Sequence, residues 1–190
     1  MIPYIIIALS IAAWLVPPFK QRGTKYFLFF LFIALADPLA ATFVYSHLLP
    51  APQITVIIEL LCVFALIKKN NINRIFILLI SVTYLFVYKL FSLSEIRIFG
   101  ILLQTIILLL IAYDFLLYIQ EKKTLNLFYM ILILYQVTLV MKFMAALIDV
   151  NFGMVQFYLT GFLEIIFAFM FMFININTKD FKIFKELEEA

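Results

Sequence analysis

The strongest constraint on this chain is a succession of seven apolar runs with little between them. They lie at about 2–17, 26–46, 51–67, 75–92, 97–119, 127–148 and 153–174, each boundary good to a few residues. Runs of this kind approach the roughly 20 residues that cross a bilayer. The segments between them, FKQRGTK, LLPAP, KKNNINR, SLSE, QEKKTLN and DVNFG, are all short. Consecutive runs are therefore antiparallel neighbours in one bundle, with no room for a soluble domain. Backbone inside lipid must satisfy its own hydrogen bonds, and helices do so within each segment. The expectation is an all-α integral membrane protein of seven transmembrane helices, one bundle over 1–174, with a cytoplasmic tail over 175–190.

Composition agrees. With 67% hydrophobic and only 13% charged residues, the chain cannot supply the polar surface of a soluble domain. The formal charge of +3 is no nucleic-acid signature, because the basic residues sit in short loops; the expected partner is the lipid bilayer. The first run, MIPYIIIALSIAAWLVPP, lacks the basic start and small-residue cleavage site of a signal peptide and reads as a retained helix. Cys62 is the lone cysteine, which leaves it a packing role and excludes a disulfide framework.

Basic residues set the expected orientation. Lys20, Arg22, Lys25, Lys68, Lys69, Arg74, Lys122, Lys123, Lys179, Lys182 and Lys185 all fall on one side of the bundle, eleven of the 14 in the chain. The positive-inside rule makes that side cytoplasmic, with the N-terminus outside and the C-terminus inside. High Ile, Phe, Lys and Asn usage fits an AT-rich genome and a bacterial cytoplasmic (inner) membrane. Lys89 and Arg97 break the pattern near the outer surface, where snorkelling brings their charges to water. Lys142 lies inside the sixth run.

Laid on itself at an offset of 105 residues, the chain aligns DPLAATFVYSHLLPAPQITVIIELL with KFMAALIDVNFGMVQFYLTGFLEII. The match pairs Thr55 with Thr160 and two rare glutamates, Glu59 with Glu164, and it sets Asp37 against Lys142. A parallel 3+1+3 repeat follows as an expectation, with halves 1–67 and 97–174 and a linker helix at 75–92. In outline this plan is similar to that of the SWEET and PQ-loop transporters, and the resemblance implies a midplane transport site. It stops at architecture. Those families carry a proline motif in corresponding helices of both halves. Here Pro17-Pro18 has no counterpart in LLLIAYDFLLYIQEK, and the one Pro-Gln, Pro52-Gln53, opens the third run.

Asp37, Glu59 and Glu164 all fall near the expected bilayer centre. An ionisable group there costs about 2.5 to 3.5 kcal/mol, so such residues face the bundle interior and find partners. Each is either protonated or paired with a cation. Two readings stay open. In one, Lys142 merely neutralises Asp37 or Glu164 while the other acids bond neighbouring helices. In the other, the four form a proton- or cation-coupled site. Gln104 and Gln136 are expected to line a cavity, together with Thr55 and Thr160. Pro38 should kink the second helix beside Asp37 and free the carbonyl of Ala34. Asp114, with Tyr113 and Tyr118, reads as an interfacial anchor, as do Trp14, Tyr26 and Tyr45.

Other chemistries are ruled down. One histidine, His47, excludes multi-histidine metal sites, and there is no HExxH, GxSxG or Walker A sequence, so no metal or cofactor is expected. The leading expectation is a small carrier or channel-like protein for an unknown solute or ion. The runner-up is a non-enzymatic sensor or partner subunit. A carboxylate-based intramembrane lipid hydrolase comes third, without the Gly-Asp signature or inner histidine of the lysoplasmalogenases. The tail DFKIFKELEEA has a helical pattern and could end the last helix, lie on the inner membrane surface or dock a cytoplasmic partner. Pairing with a second copy of the chain is a further expectation.

Overall fold

The computed structural model describes residues 2–46, 50–67, 71–148, 150–177 and 180–182. Each apolar run is helical: α1 (Ile2–Trp14), α3 (Phe27–Tyr45), α4 (Ala51–Leu66), α5 (Asn71–Val87), α6 (Leu93–Lys122), α7 (Leu127–Ile148) and α8 (Val150–Phe173). A single-turn α2 (Pro17–Lys20) follows α1. Among the described residues, four helical stretches are long and apolar enough to cross a membrane: Phe27–Tyr45, Asn73–Leu90, Leu93–Lys122 and Leu127–Ala145. Ala8–Lys20, Ala51–Leu66 and Leu159–Phe173 are shorter and equally apolar in kind. The chain is an all-α protein of membrane-spanning character.

Local chemistry explains the boundaries. The α1 helix ends at Trp14, and Pro17 then opens α2 from its first turn, where its missing N–H costs no helical hydrogen bond. The start of α6 carries a capping box: Ser92 accepts from the Glu95 backbone, and Glu95 accepts from the Ser92 backbone. At its other end Lys123 adopts a left-handed conformation with φ 55°. The 30 residues of α6 reach about 45 Å at 1.5 Å each. That exceeds a hydrocarbon core of about 30 Å and leaves room at both ends.

Packing closes six of these helices into a ring. In order around it, α1 meets α3, α3 meets α4, α4 meets α6, α6 meets α7, α7 meets α8, and α8 returns to α1. The remaining long helix, α5, packs on α4 and turns Ile75, Phe76, Leu79, Val82 and Phe86 outward. One end of the ring is filled by aromatic side chains. Tyr26, Phe29, Phe30, Phe128, Tyr129 and Phe171 are all buried, and Phe30 meets Phe171 edge-on with ring centres 4.8 Å apart. Trp14 lies on top of this plug, 5.0 Å from Tyr135.

The α3 helix runs through Pro38, which has no N–H to return to the Ala34 carbonyl, and the Pro38 carbonyl itself accepts from the Thr42 hydroxyl at 2.8 Å. Two expectations are corrected here. Trp14 and Tyr26 are core residues, 3% and 0% exposed, because the ring interior has room for large rings that a lipid interface would otherwise take. Tyr45, at 89% exposure, does stand outside the bundle. In the tail, Asp180–Lys182 is a short strand, β2, rather than helix. It pairs antiparallel with β1 (Thr124–Asn126), Leu125 opposite Phe181, because the tight α6–α7 connection offers a free backbone edge. The rest of the tail from 183, with His47, Lys68, Lys69, Lys179 and Lys185, lies outside the described residues.

Candidate functional site

Between the plug and the far end of the ring lies a cavity of about 520 Å³. Its walls come from five helices of the ring plus the end of α1. The three carboxylates expected near the bilayer centre line it: Asp37 from α3, Glu59 from α4 and Glu164 from α8, together with Lys142 from α7. Gln104, Gln136 and Thr55 line it too. Thr160 is buried, 2% exposed, but is not part of the wall.

The acids are held in three different ways. Asp37 accepts a hydrogen bond from the Ser10 hydroxyl of α1 at 2.8 Å. Glu164 forms an ion pair with Lys142, Nζ to Oε1 2.7 Å. Lys142 thus meets the glutamate of the neighbouring helix. Glu59 is the most enclosed, 2% exposed, and accepts from Gln104 Nε2 at 3.0 Å through Oε1. Its Oε2 is buried without a hydrogen-bond partner.

Helix periodicity brings these groups together. On α6, Arg97, Gly100, Gln104 and Ile107 recur at three- and four-residue steps and so share the inward face. Gly100 lies against Glu59: a Cβ built there would sit at ordinary contact distance, 3.4 Å from Glu59 Oε2 and 3.6 Å from the Phe143 ring.

Arg97 is half-buried and lines the same cavity, one helical turn from Gly100, so Lys142 is not the one cation in its wall. Ser10 and Gly100 were not anticipated. Ser10 looked like an ordinary helix serine, and only the 3.6-residue spacing back from Gln104 could have pointed to Gly100 and Arg97.

Asp114 lies apart, at the plugged end. It accepts from Lys25 Nζ at 2.7 Å and from the Tyr26 hydroxyl at 3.1 Å, while Tyr113 is exposed. The anchor is thus a Lys25–Asp114–Tyr26 cluster inside the bundle end. Two buried amides fasten the C-terminal segment beside it. Gln21 Nε2 donates to the Ile174 carbonyl at 2.9 Å and Asn126 Nδ2 to the Ile176 carbonyl at 3.0 Å.

Among the described residues no group of three or more histidine, cysteine or acidic side chains is placed to hold a metal ion. The cavity can do electrostatic and hydrogen-bonding chemistry: it offers carboxylates, amide oxygens and two cations around a space walled elsewhere by apolar and aromatic groups. No family model matches the chain, and neither a curated protein nor a solved structure gives a match.

Proposed function

We propose that this protein is a small seven-helix membrane carrier of the bacterial inner membrane, with the ring cavity as its midplane site. Asp37, Glu59, Glu164 and Lys142 serve as its binding and coupling groups. The observation that carries the reading is their convergence, from four helices, on one cavity of about 520 Å³, within the usual range of small-ligand sites. Ionisable groups are expensive inside a bilayer and mark ion or substrate pathways.

The ring is compatible with the parallel repeat behind this reading, as six helices closed in chain order must be. Exchanging α1 with α6, α3 with α7 and α4 with α8 maps each ring contact onto another: α1–α3 onto α6–α7, α3–α4 onto α7–α8, and α4–α6 onto α8–α1. That is the pattern a 3+1+3 chain makes when its halves face each other across an axis along the membrane normal, with α5 as the linker outside. On the expected orientation the aromatic plug closes the cytoplasmic end and the cavity faces outward. Transport then requires the plug around Trp14, Phe30 and Phe171 to open.

The test is flux in proteoliposomes, with solute panels driven by pH or sodium gradients. Uptake by the native protein, lost on changing both Glu59 and Glu164 to Gln, is the expected result. Flux indifferent to both changes refutes the site. Absence of flux for every solute class favours the sensor or partner-subunit reading, with the same cavity as a ligand pocket.

A further inference from the structure

The polar atoms left without partners in the cavity wall share one character. Glu59 Oε2, Gln104 Oε1 and Gln136 Oε1 are all buried and unpaired, all belong to residues lining the cavity, and with Glu59 ionised all are acceptors. A buried acceptor with no donor costs about 1–3 kcal/mol, and three around one space are a standing demand for donors. Gln104 cannot turn its amide to relieve this, because its Nε2 is committed to Glu59 Oε1 at 3.0 Å. The occupant must therefore bring N–H or O–H groups and, beside a carboxylate, positive charge.

Resting on the reading of this cavity as a binding site, we infer that its ligand is an organic cation bearing a primary or secondary ammonium. The N–H groups would be received by Glu59, Gln104 and Gln136. A carboxylate beside two amide oxygens matches the three donors of an –NH3+ group. Aromatic rings suit the same class: Trp14, Phe29, Tyr135 and Phe143 line the space, and cations are drawn to ring faces. Glu164 is engaged by Lys142 and Asp37 by Ser10, and among the three acids it is Glu59 whose second oxygen is buried without a partner. Apart from Arg97 and Thr55, the remaining wall is apolar and can shelter a hydrocarbon body.

The chain supplies its own reporter, because Trp14 is its one tryptophan and lines the cavity. Purified protein in detergent is titrated with cyclohexylammonium, with its N,N,N-trimethyl counterpart, with cyclohexanol and with sodium chloride while tryptophan emission is followed. The expected result is a saturable change with cyclohexylammonium, at least about tenfold weaker apparent affinity for the trimethyl compound, which has no N–H, and no saturation with cyclohexanol. Gln136→Leu and Glu59→Gln should each weaken the ammonium by roughly tenfold or more. Gln136→Leu keeps the test decisive should Glu59→Gln fail to fold. Equal binding of the trimethyl compound overturns the N–H assignment, and saturation by sodium that blocks the ammonium reassigns the site to an inorganic cation. Failure of all four probes overturns the ammonium inference alone, since the carrier reading stands or falls on flux.

Discussion

At Lys142, loss of the ammonium leaves Glu164 facing the cavity without its 2.7 Å partner. Both side chains are mostly buried, 19% and 12% exposed. Lys142→Met should therefore cost roughly 2 kcal/mol, somewhat under the 3–5 kcal/mol of fully buried pairs. Adding Glu164→Gln should restore most of the loss in denaturant unfolding. Lys25 behaves differently because water reaches it. Burial works against its ammonium, but hydrogen bonds to Asp114 and Tyr129 outweigh it and hold the group above its ordinary value of 10.5. A raised lysine keeps in the folded state a proton that the unfolded chain releases. Its contribution is whole below pH 10.5 and fades as pH climbs through the higher folded value. Thermal midpoints should thus fall more steeply above pH 10.5 in the native protein than in Lys25→Met. The acids and glutamines of the cavity were legible in the sequence because apolar runs make polar residues conspicuous. Their partners were not, since a serine, a glycine and an arginine near a helix end look ordinary until neighbouring helices are in place.

Helix limits were legible for the same reason that the chain needs lipid: prolines and polar turns interrupt apolar runs sharply. Pro38 does not end α3, which runs through it, because a proline removes one backbone bond without obliging the helix to stop. The strand at Asp180–Lys182 was hidden because its partner lies in the distant α6–α7 connection. Two outcomes belong to these elements. Ser92→Ala removes the cap that receives the Glu95 backbone and should lower stability by about 1 kcal/mol, read as an earlier denaturant midpoint. Asn126→Ala releases the Ile176 carbonyl and the Phe128 amide together. The segment after α8 should then be cut faster by protease while α1 to α7 remain protected.

For the whole molecule, orientation is the open quantity, and the lone cysteine makes it measurable. Cys62 is buried, so Cys62→Ala gives a background for single cysteines placed at Lys123 and at Leu90. An impermeant thiol reagent applied to whole cells should label position 90 and spare position 123; the reverse pattern inverts the bundle. The succession of helices was plain from the sequence. The ring was not, because hydropathy says that a helix is lipid-compatible but not which of its faces meets which neighbour. The ring also has a consequence in time. Its last seam joins α8 to α1, the latest long helix made to the earliest, so during synthesis the cavity is an open trough. Ser10 can meet Asp37 early, while Lys142 waits for Glu164 until α8 arrives. A chain stalled before α8 should carry a half-built site open to lipid, the state in which quality-control proteases would find it.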